Sequence, residues 1–213
     1  MPTDVSSILN EVFHNLIEDK KHLLQIYLDL LFKWHKTSNI VSSSDKEYVI
    51  KREVYDSYKL TKFMRGQSYT DVGSGGGLPG IILAIFNPEK EVVLLDRKSS
   101  FIDFLELAKA ELMLDNVNVV KQDFLVKDTQ LMTDTVIFKN FSNKLISKMT
   151  YEEKFIYLME STKKSKSVSK AYMLTGSPVI ELSDSCISEY NIKVEKLVSP
   201  FFSSDRFIAE VNF

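Results

Sequence analysis

Ten residues limit this chain more than any others: Asp71-Val-Gly-Ser-Gly-Gly-Gly-Leu-Pro-Gly80, a run that holds five of the seven glycines in the sequence. Glycine concentrated in one place marks a single sharp turn, not general flexibility. A strand-like stretch, Ser68–Val72, leads into the run, and a helix-forming stretch, Pro79–Phe86, follows it. Pro79 suits an early helical position. Glycines 73, 75 and 77 remove side chains where the backbone turns, so a ligand can lie on bare amides at the carboxyl edge of a sheet. About twenty residues further on, Leu94-Leu95-Asp96 ends the next strand with a carboxylate. In nucleoside-binding sheets an acid at that position reaches ribose hydroxyls.

The rest of the chain fits the same plan. Residues 1–66 read as helical, with Val5, Ile8, Leu9, Val12, Phe13 and Leu16, then Leu23, Leu24, Tyr27, Leu28, Leu31 and Phe32, at helical spacing. A third helix is predicted from Glu47 to Met64, capped by Asp45 and ended by Gly66. From 67 to 213 short strands alternate with helices. Further strands are predicted at Val92–Leu95, Val117–Val120, Thr135–Phe138 and Ala171–Leu174, with helices at Ser99–Met113 and Tyr151–Lys163. Two last strands, Ile192–Val198 and Arg206–Val211, are joined by too few residues for a crossover helix and are expected to pair antiparallel. The predicted class is therefore α/β: a Rossmann-like parallel sheet closing in an antiparallel hairpin, with a cofactor-binding domain at 67–213 and a helical extension at 1–66.

Composition narrows the setting. The chain has 213 residues, 44% of them hydrophobic, and 27 basic against 29 acidic side chains, so any grip on nucleic acid has to come from a local patch. The single cysteine, Cys186, and three scattered histidines give no disulfide and no metal-ligand spacing, which points to the cytoplasm and to no metal. The first residues carry no basic segment followed by an apolar one, unlike a signal peptide. The longest notable apolar run, Ile81–Phe86, is far below the ~20 residues of a membrane span, so no membrane association is expected.

Two cofactors compete for the glycine turn. Gly75-x-Gly77-x-x-Gly80 formally satisfies the dinucleotide fingerprint, whereas Asp71-x-Gly73-x-Gly75-x-Gly77 resembles the first motif of S-adenosylmethionine-dependent methyltransferases. A carboxylate at Asp71 would attract the cationic end of a methionine moiety and repel a pyrophosphate, which favours S-adenosyl-L-methionine.

The match extends to one family. Leu31-Phe-Lys-Trp-His-Lys-Thr-Ser-Asn-Ile40, Asp56-Ser57, the turn through Ile81 with its Pro79-Gly80, Leu94-Leu-Asp96, Phe104-Leu105 and Leu112-x-Leu114-x-Asn116-Val117 together resemble the glucose-inhibited division protein B family, small-subunit ribosomal RNA guanine-N7 methyltransferases of bacteria. The resemblance implies a class I methyltransferase sheet, S-adenosylmethionine as cofactor, and ribosomal RNA or the small ribosomal subunit as partner. The cofactor contacts it implies are Gly73, Leu78, Phe124, Leu125 and Lys139, to which the turn reading adds Asp71, Gly75, Gly77 and Asp96. Position 125, where the family has an acid, is Leu, and Asp123 is a substitute acceptor for an adenine amino group. Asn39 and Lys139 are the implied catalytic-site residues, holding the target base or the cofactor carboxylate. The chain departs from the family at Glu53, a family His; at Ser100-Phe101, a family basic pair; at Phe138-Lys139-Asn140, a family Ser-Arg-Ala; and at Thr175, a family Lys.

Guanine N7 carries a free lone pair, so methylation needs alignment more than a base, and the lack of a catalytic His or Cys is expected. Residues 139–170 carry eight lysines against three glutamates, a cationic stretch suited to phosphates or simply a solvated helix and loop. Read without the family, Asn39 is equally a turn residue, Asp56 pairs with Arg52 in a solvated i, i+4 contact, and Trp34 belongs to the core or to interdomain packing. Three activities stay open on these residues: the methyltransferase, a catalytically silent binder of adenosylmethionine or ribosomes, and a nicotinamide-dependent oxidoreductase. Nothing in the sequence sets the oligomeric state.

Overall fold

Alternation along the strands divides the apolar residues between two layers. In β4 (Thr135–Lys139), Ile137 faces one side of the sheet while Val136 and Phe138 face the other. The computed structural model describes residues 4–126, 129–141 and 143–213. Its seven-stranded sheet has the order β3-β2-β1-β4-β5-β7-β6. β1 (Ser68–Val72), β2 (Glu91–Asp96), β3 (Val117–Lys121), β4 and β5 (Lys170–Thr175) run parallel. β6 (Lys193–Leu197) and β7 (Arg206–Asn212) form the expected hairpin, and β7 is the strand that pairs antiparallel with β5.

One face is covered by α5 (Gly80–Phe86), α6 (Ser99–Glu111) and the helices before the sheet: α1 (Val5–Val12), α2 (Glu18–Ser38), α3 (Lys46–Tyr48) and α4 (Tyr55–Leu60). Val5, Leu24, Leu31 and Val54 share a buried cluster with Ile81, Leu94 and Tyr172, so the helical extension and the sheet are packed into one core. The opposite face is covered by α7 (Tyr151–Lys163) and α8 (Asp184–Glu189), with Phe155, Leu158, Val179 and Cys186 packed on Phe138 and Ala171. Covering both faces is what a parallel sheet of apolar strands requires.

Local chemistry explains the ends. Asp45 Oδ1 accepts the backbone N–H groups of Glu47 and Tyr48 at 2.9 and 3.3 Å, as expected of an N-cap. α7 begins in a reciprocal capping box between Thr150 and Glu153. The third helical segment ends at Leu60, short of the expected Met64, where the Thr61 hydroxyl donates to the Tyr58 carbonyl at 2.7 Å and competes with the helical pattern. Gly66 serves the sheet instead: a Cβ there would lie 2.4 Å from Thr135 Oγ1. Between α3 and α4 the backbone is π-helical over Val49–Val54, a widened turn that buries the consecutive side chains of Arg52 and Glu53. α8 and a 3₁₀ turn at Ser177–Glu181 lie where the sequence offered no periodic pattern long enough to read.

Among the described residues no helix is long and apolar enough to cross a membrane, and no group of three or more His, Cys, Asp or Glu could hold a metal ion.

Candidate active site

The sheet order places a switch between β1 and β4: the chain leaves β1 toward β2 and β3, then returns to the other side for β4 and β5. Carboxyl ends of neighbouring strands diverge there and open a crevice. The glycine turn fills the β1 side. Gly73, Gly75 and Gly77 all have positive φ (74°, 54° and 83°), a region where a Cβ is strained, so the sequence needs glycine at these three places.

The turn is tied down from three sides. Gly73 and Ser74 donate their N–H groups to the Leu95 carbonyl at 2.8 and 3.1 Å. Asp96 accepts from Gly75 N at 3.0 Å through Oδ2 and from Lys98 N at 3.0 Å through Oδ1. From the helical extension, the Tyr27 hydroxyl donates to the Gly76 carbonyl at 2.6 Å. Asp96 therefore fixes the turn while each oxygen keeps a second acceptor position.

Two clefts open beside the turn and share Gly73 and Asn140 as walls. The first, of about 220 Å³, is lined by Asp96, Asp123, Phe101, Phe124 and Phe141 together with Arg97 and Lys98. Two carboxylates facing apolar rings suit a nucleoside: acceptors for hydroxyl and amino donors, and flat walls for a base. The second, of about 180 Å³, is lined by Asn39, Ile40, Glu53, Gly75, Leu78 and Lys139. Of the residues singled out in the sequence, Gly73, Asp96, Asp123 and Phe124 line the first cleft, and Asn39, Gly73, Gly75, Leu78 and Lys139 the second. Gly77 and Leu125 line neither. Leu125 N–H instead donates to Asp123 Oδ1 at 3.1 Å and steadies that carboxylate.

Asp71 differs from the expectation. Its side chain is 1% exposed and lies beneath the turn, where Oδ2 accepts the Gly80 N–H at 2.9 Å, so it anchors the start of α5 and does not face a ligand. Burial, only partly offset by the Gly80 hydrogen bond and the Lys139 charge, pushes its carboxyl up to about 7. The folded chain then holds a proton across roughly pH 4 to 7 that the unfolded chain releases, so this group lowers stability as pH rises through that window. Asp71→Asn keeps an acceptor for Gly80 and removes the titration. Urea unfolding at pH 5 and pH 8 should show the variant gaining on the parent by on the order of 2 kcal/mol at the higher pH, and equal differences at both would show that Asp71 does not titrate there.

Asn39 takes the turn role and also borders a cleft. Its left-handed backbone (φ 45°) closes α2, its N–H donates to the His35 carbonyl at 3.2 Å, and the residue lines the second cleft. Trp34 packs against Phe104, with ring centres 5.8 Å apart, as a core residue.

Glu53 was missed as a site residue. Its carboxylate pairs with the Lys139 ammonium, and the two side chains are only 7% and 8% exposed. The positions are 86 residues apart, and both depart from the family pattern. Side by side, the substitutions form one ion pair. Burial works against the Glu53 charge, but the Lys139 charge and hydrogen bond, with Arg206 and Arg52, hold its carboxyl below the usual range. The Arg52–Asp56 contact is a correction: both side chains are almost fully buried, and Arg206 joins them, because the π-helical turn and the strand hairpin close over the pair. Asn140 and Phe141 were also missed. Asn140 adopts φ 53° at the end of β4, and Phe141 lies on Gly73, where an added Cβ would approach its ring to 2.6 Å.

The lysine stretch is split by the fold. Lys139, Lys144 and Lys148 lie at or just after the carboxyl end of β4, but α7 runs back to the amino edge, where Lys170 pairs in register with Thr135. Lys163 and Lys170 there are engaged by Glu160 and Glu210 at 3.1 and 2.9 Å. Half of the stretch is therefore remote from the clefts.

The family described as rRNA small subunit methyltransferase G (GidB) matches residues 20–169, from the start of α2 to the residue before β5. The chain belongs to this family. A ribosomal RNA small subunit methyltransferase G of Escherichia fergusonii is 34% identical over 67% of this chain and 69% of its own length. One from Fusobacterium nucleatum is 30% identical over 91% and 83%. Among solved structures, a human methyltransferase 10 domain containing protein superposes with a TM-score of 0.55 at 13% identity, covering 91% of this chain and 98% of that one. The TrmK protein of M. capricolum, in complex with S-adenosylhomocysteine, gives 0.53 at 10% identity over 73% and 66%. These two likenesses show the class I methyltransferase fold. In this member of the rRNA small subunit methyltransferase G family, the first cleft and the glycine turn lie at the carboxyl edge of that fold.

Proposed function

We propose that this chain transfers a methyl group from S-adenosylmethionine to N7 of a guanine in small-subunit ribosomal RNA. The observation that carries the reading is the junction, at the β1/β4 switch, of a nucleoside-sized cleft with a second pocket lined by Asn39, Glu53 and Lys139, in a chain of this family. Residues 67–213 supply the cofactor side, and the extension 1–66 supplies Asn39 and Glu53 to the substrate side.

When bound, the cofactor supplies an electrophilic sulfonium methyl group. Asp96 would accept ribose hydroxyls through its free acceptor positions, Asp123 an adenine amino group, and Phe101 and Phe124 would flank the base. Gly73, which has no Cβ, forms a wall common to the two clefts, and Gly75 and Leu78 line the second. Guanine N7 has no proton to lose, so the protein's contribution is to align the base and keep water out. Asn39 presents an amide to the base edge, and Lys139, held by Glu53, is placed to meet an oxygen of the base or a carboxylate. The pairing of Glu53 with Lys139 gives the departure at 139 a partner, while those at Ser100-Phe101 and Thr175 still motivate the silent-binder reading.

Radiolabelled S-adenosylmethionine incubated with the protein and small ribosomal subunits, or with the protein-free RNA, tests the reading. Label recovered in 7-methylguanosine is expected from at least one of the two. Cofactor binding with no transfer to either would establish the silent binder instead.

A further inference from the structure

A third cleft, of about 500 Å³, opens at the same carboxyl edge, on the far side of the Glu53–Lys139 pair. Its walls include Arg52, Arg206, Gly176, Phe202, Ser203 and Ser204. We propose that this cleft binds a phosphodiester of the RNA strand that presents the target base, with Arg206 and Arg52 as the cationic groups and Ser203 and Ser204 as hydroxyl donors. The proposal rests on the RNA-methyltransferase reading and adds a backbone site to it.

Three observations support it. The first is an unspent donor: Arg52 is 3% exposed, its Nη2 donates to the carbonyl and hydroxyl of Ser204 at 3.1 and 3.0 Å, and its buried Nη1 has no hydrogen-bond partner among the described residues. A buried donor left unpaired costs about 1–3 kcal/mol and marks a place where a partner belongs. The second is charge. Lys139 is taken up by Glu53 and also faces Asp71, which leaves Arg52 and Arg206 to share Asp56, whose carboxylate meets the two guanidinium groups at 3.6 and 3.5 Å, too long for good hydrogen bonds. Two guanidinium groups on one carboxylate keep a net positive charge at this wall of the cleft. Asp205, the one acid of the cleft lining, is paired with Lys196 at 2.7 Å.

The third is access. Arg206 reaches Asp56 through Nε, its side chain is 23% exposed, and its Nη1 would lie 3.6 Å from a Cβ on Gly176, so the end of the fork stands at the cleft wall. Phe202 covers the Arg52 guanidinium at 5.2 Å, an aromatic face beside a cation of the kind that single-stranded RNA uses for stacking. An arginine fork matches phosphate oxygens in pairs, which lysines on a solvated helix do not.

The test uses a labelled decamer of uridylate, which has no guanine, and inorganic phosphate as separate probes of the full chain. Binding of the decamer is followed by anisotropy across a potassium chloride series for the parent, Arg206→Gln and Ser203→Asp. Arg206→Gln removes the exposed cation, and Ser203→Asp places a negative charge on the exposed rim without touching the buried cluster, so a folding defect in the first leaves the second to decide. Each variant is expected to bind the decamer at least fivefold more weakly, and Arg206→Gln to lower the slope of log K against log salt by about 1. Parent and variants with the same affinity and slope would overturn the proposal, as would a parent that does not bind the decamer. Inorganic phosphate bound by the parent and lost in the variants, with no effect on the decamer, would make this a free-anion site and overturn the RNA assignment. A decamer effect in a protein that methylates neither subunit nor RNA would leave the backbone site standing and reject the methyltransferase reading alone.

Discussion

Asp96→Ala should weaken S-adenosylmethionine binding by about 100-fold in calorimetric titration, and Asp96→Asn by less. The carboxylate has two tasks that alanine abandons together. It receives the N–H groups of Gly75 and Lys98, which hold the turn against the end of β2, and its remaining acceptor positions face the first cleft. Hydrogen bonds to a charged acceptor contribute about 1.5–3 kcal/mol each, so losing two ribose contacts corresponds to two decades or more. Asparagine retains one acceptor oxygen and can still hold one of the two N–H groups. NAD, titrated in parallel, should bind neither the parent nor the variants. Unchanged affinity in Asp96→Ala would mean that the cofactor does not use this cleft.

The Glu53–Lys139 pair should give the second large effect, on stability. Both side chains are almost fully buried, so removing one partner leaves the other charge without compensation. Breaking a buried pair in this way costs about 3–5 kcal/mol, whereas replacing both partners with apolar groups of similar size is often neutral or stabilising. Urea unfolding of Glu53→Leu and Lys139→Met should show that loss for each single variant, and the double variant should return close to the parent. Singles that each cost under about 1 kcal/mol would show a pair screened by solvent. The double variant should also lose methyl transfer despite its recovered stability, which separates the pair's part in the substrate pocket from its part in the fold.

The glycine turn was legible in the sequence because its cause is local: a positive φ at 73, 75 and 77 admits little but glycine, and that requirement shows in the residue types themselves. Asp96 was legible because the end of a strand fixes where its side chain points. Strand boundaries were likewise recovered to within a residue or two, since the central strands alternate between two apolar layers and turn residues bound the edge strands. Asp71 was misread for a reason the sequence conceals. An acid just before a glycine turn can point up at a ligand or down at the following helix, and only the burial of the side chain against Gly80 decides. The lysine stretch at 139–170 stayed between two readings for a similar reason, because sequence adjacency ignores that a helix of thirteen residues carries its end to the opposite edge of the sheet.

By itself, then, the sequence determined the α/β class, the strands and their closing hairpin, the glycine turn and the carboxylate opposite it, all of which follow from conformational limits and periodicity within short segments. The tertiary structure alone decided which distant side chains meet. It joined Glu53 to Lys139 and gathered Arg52, Asp56 and Arg206 into one buried cluster. Electrostatic partnership depends on separation in space and on local burial, and neither is fixed by spacing along the chain.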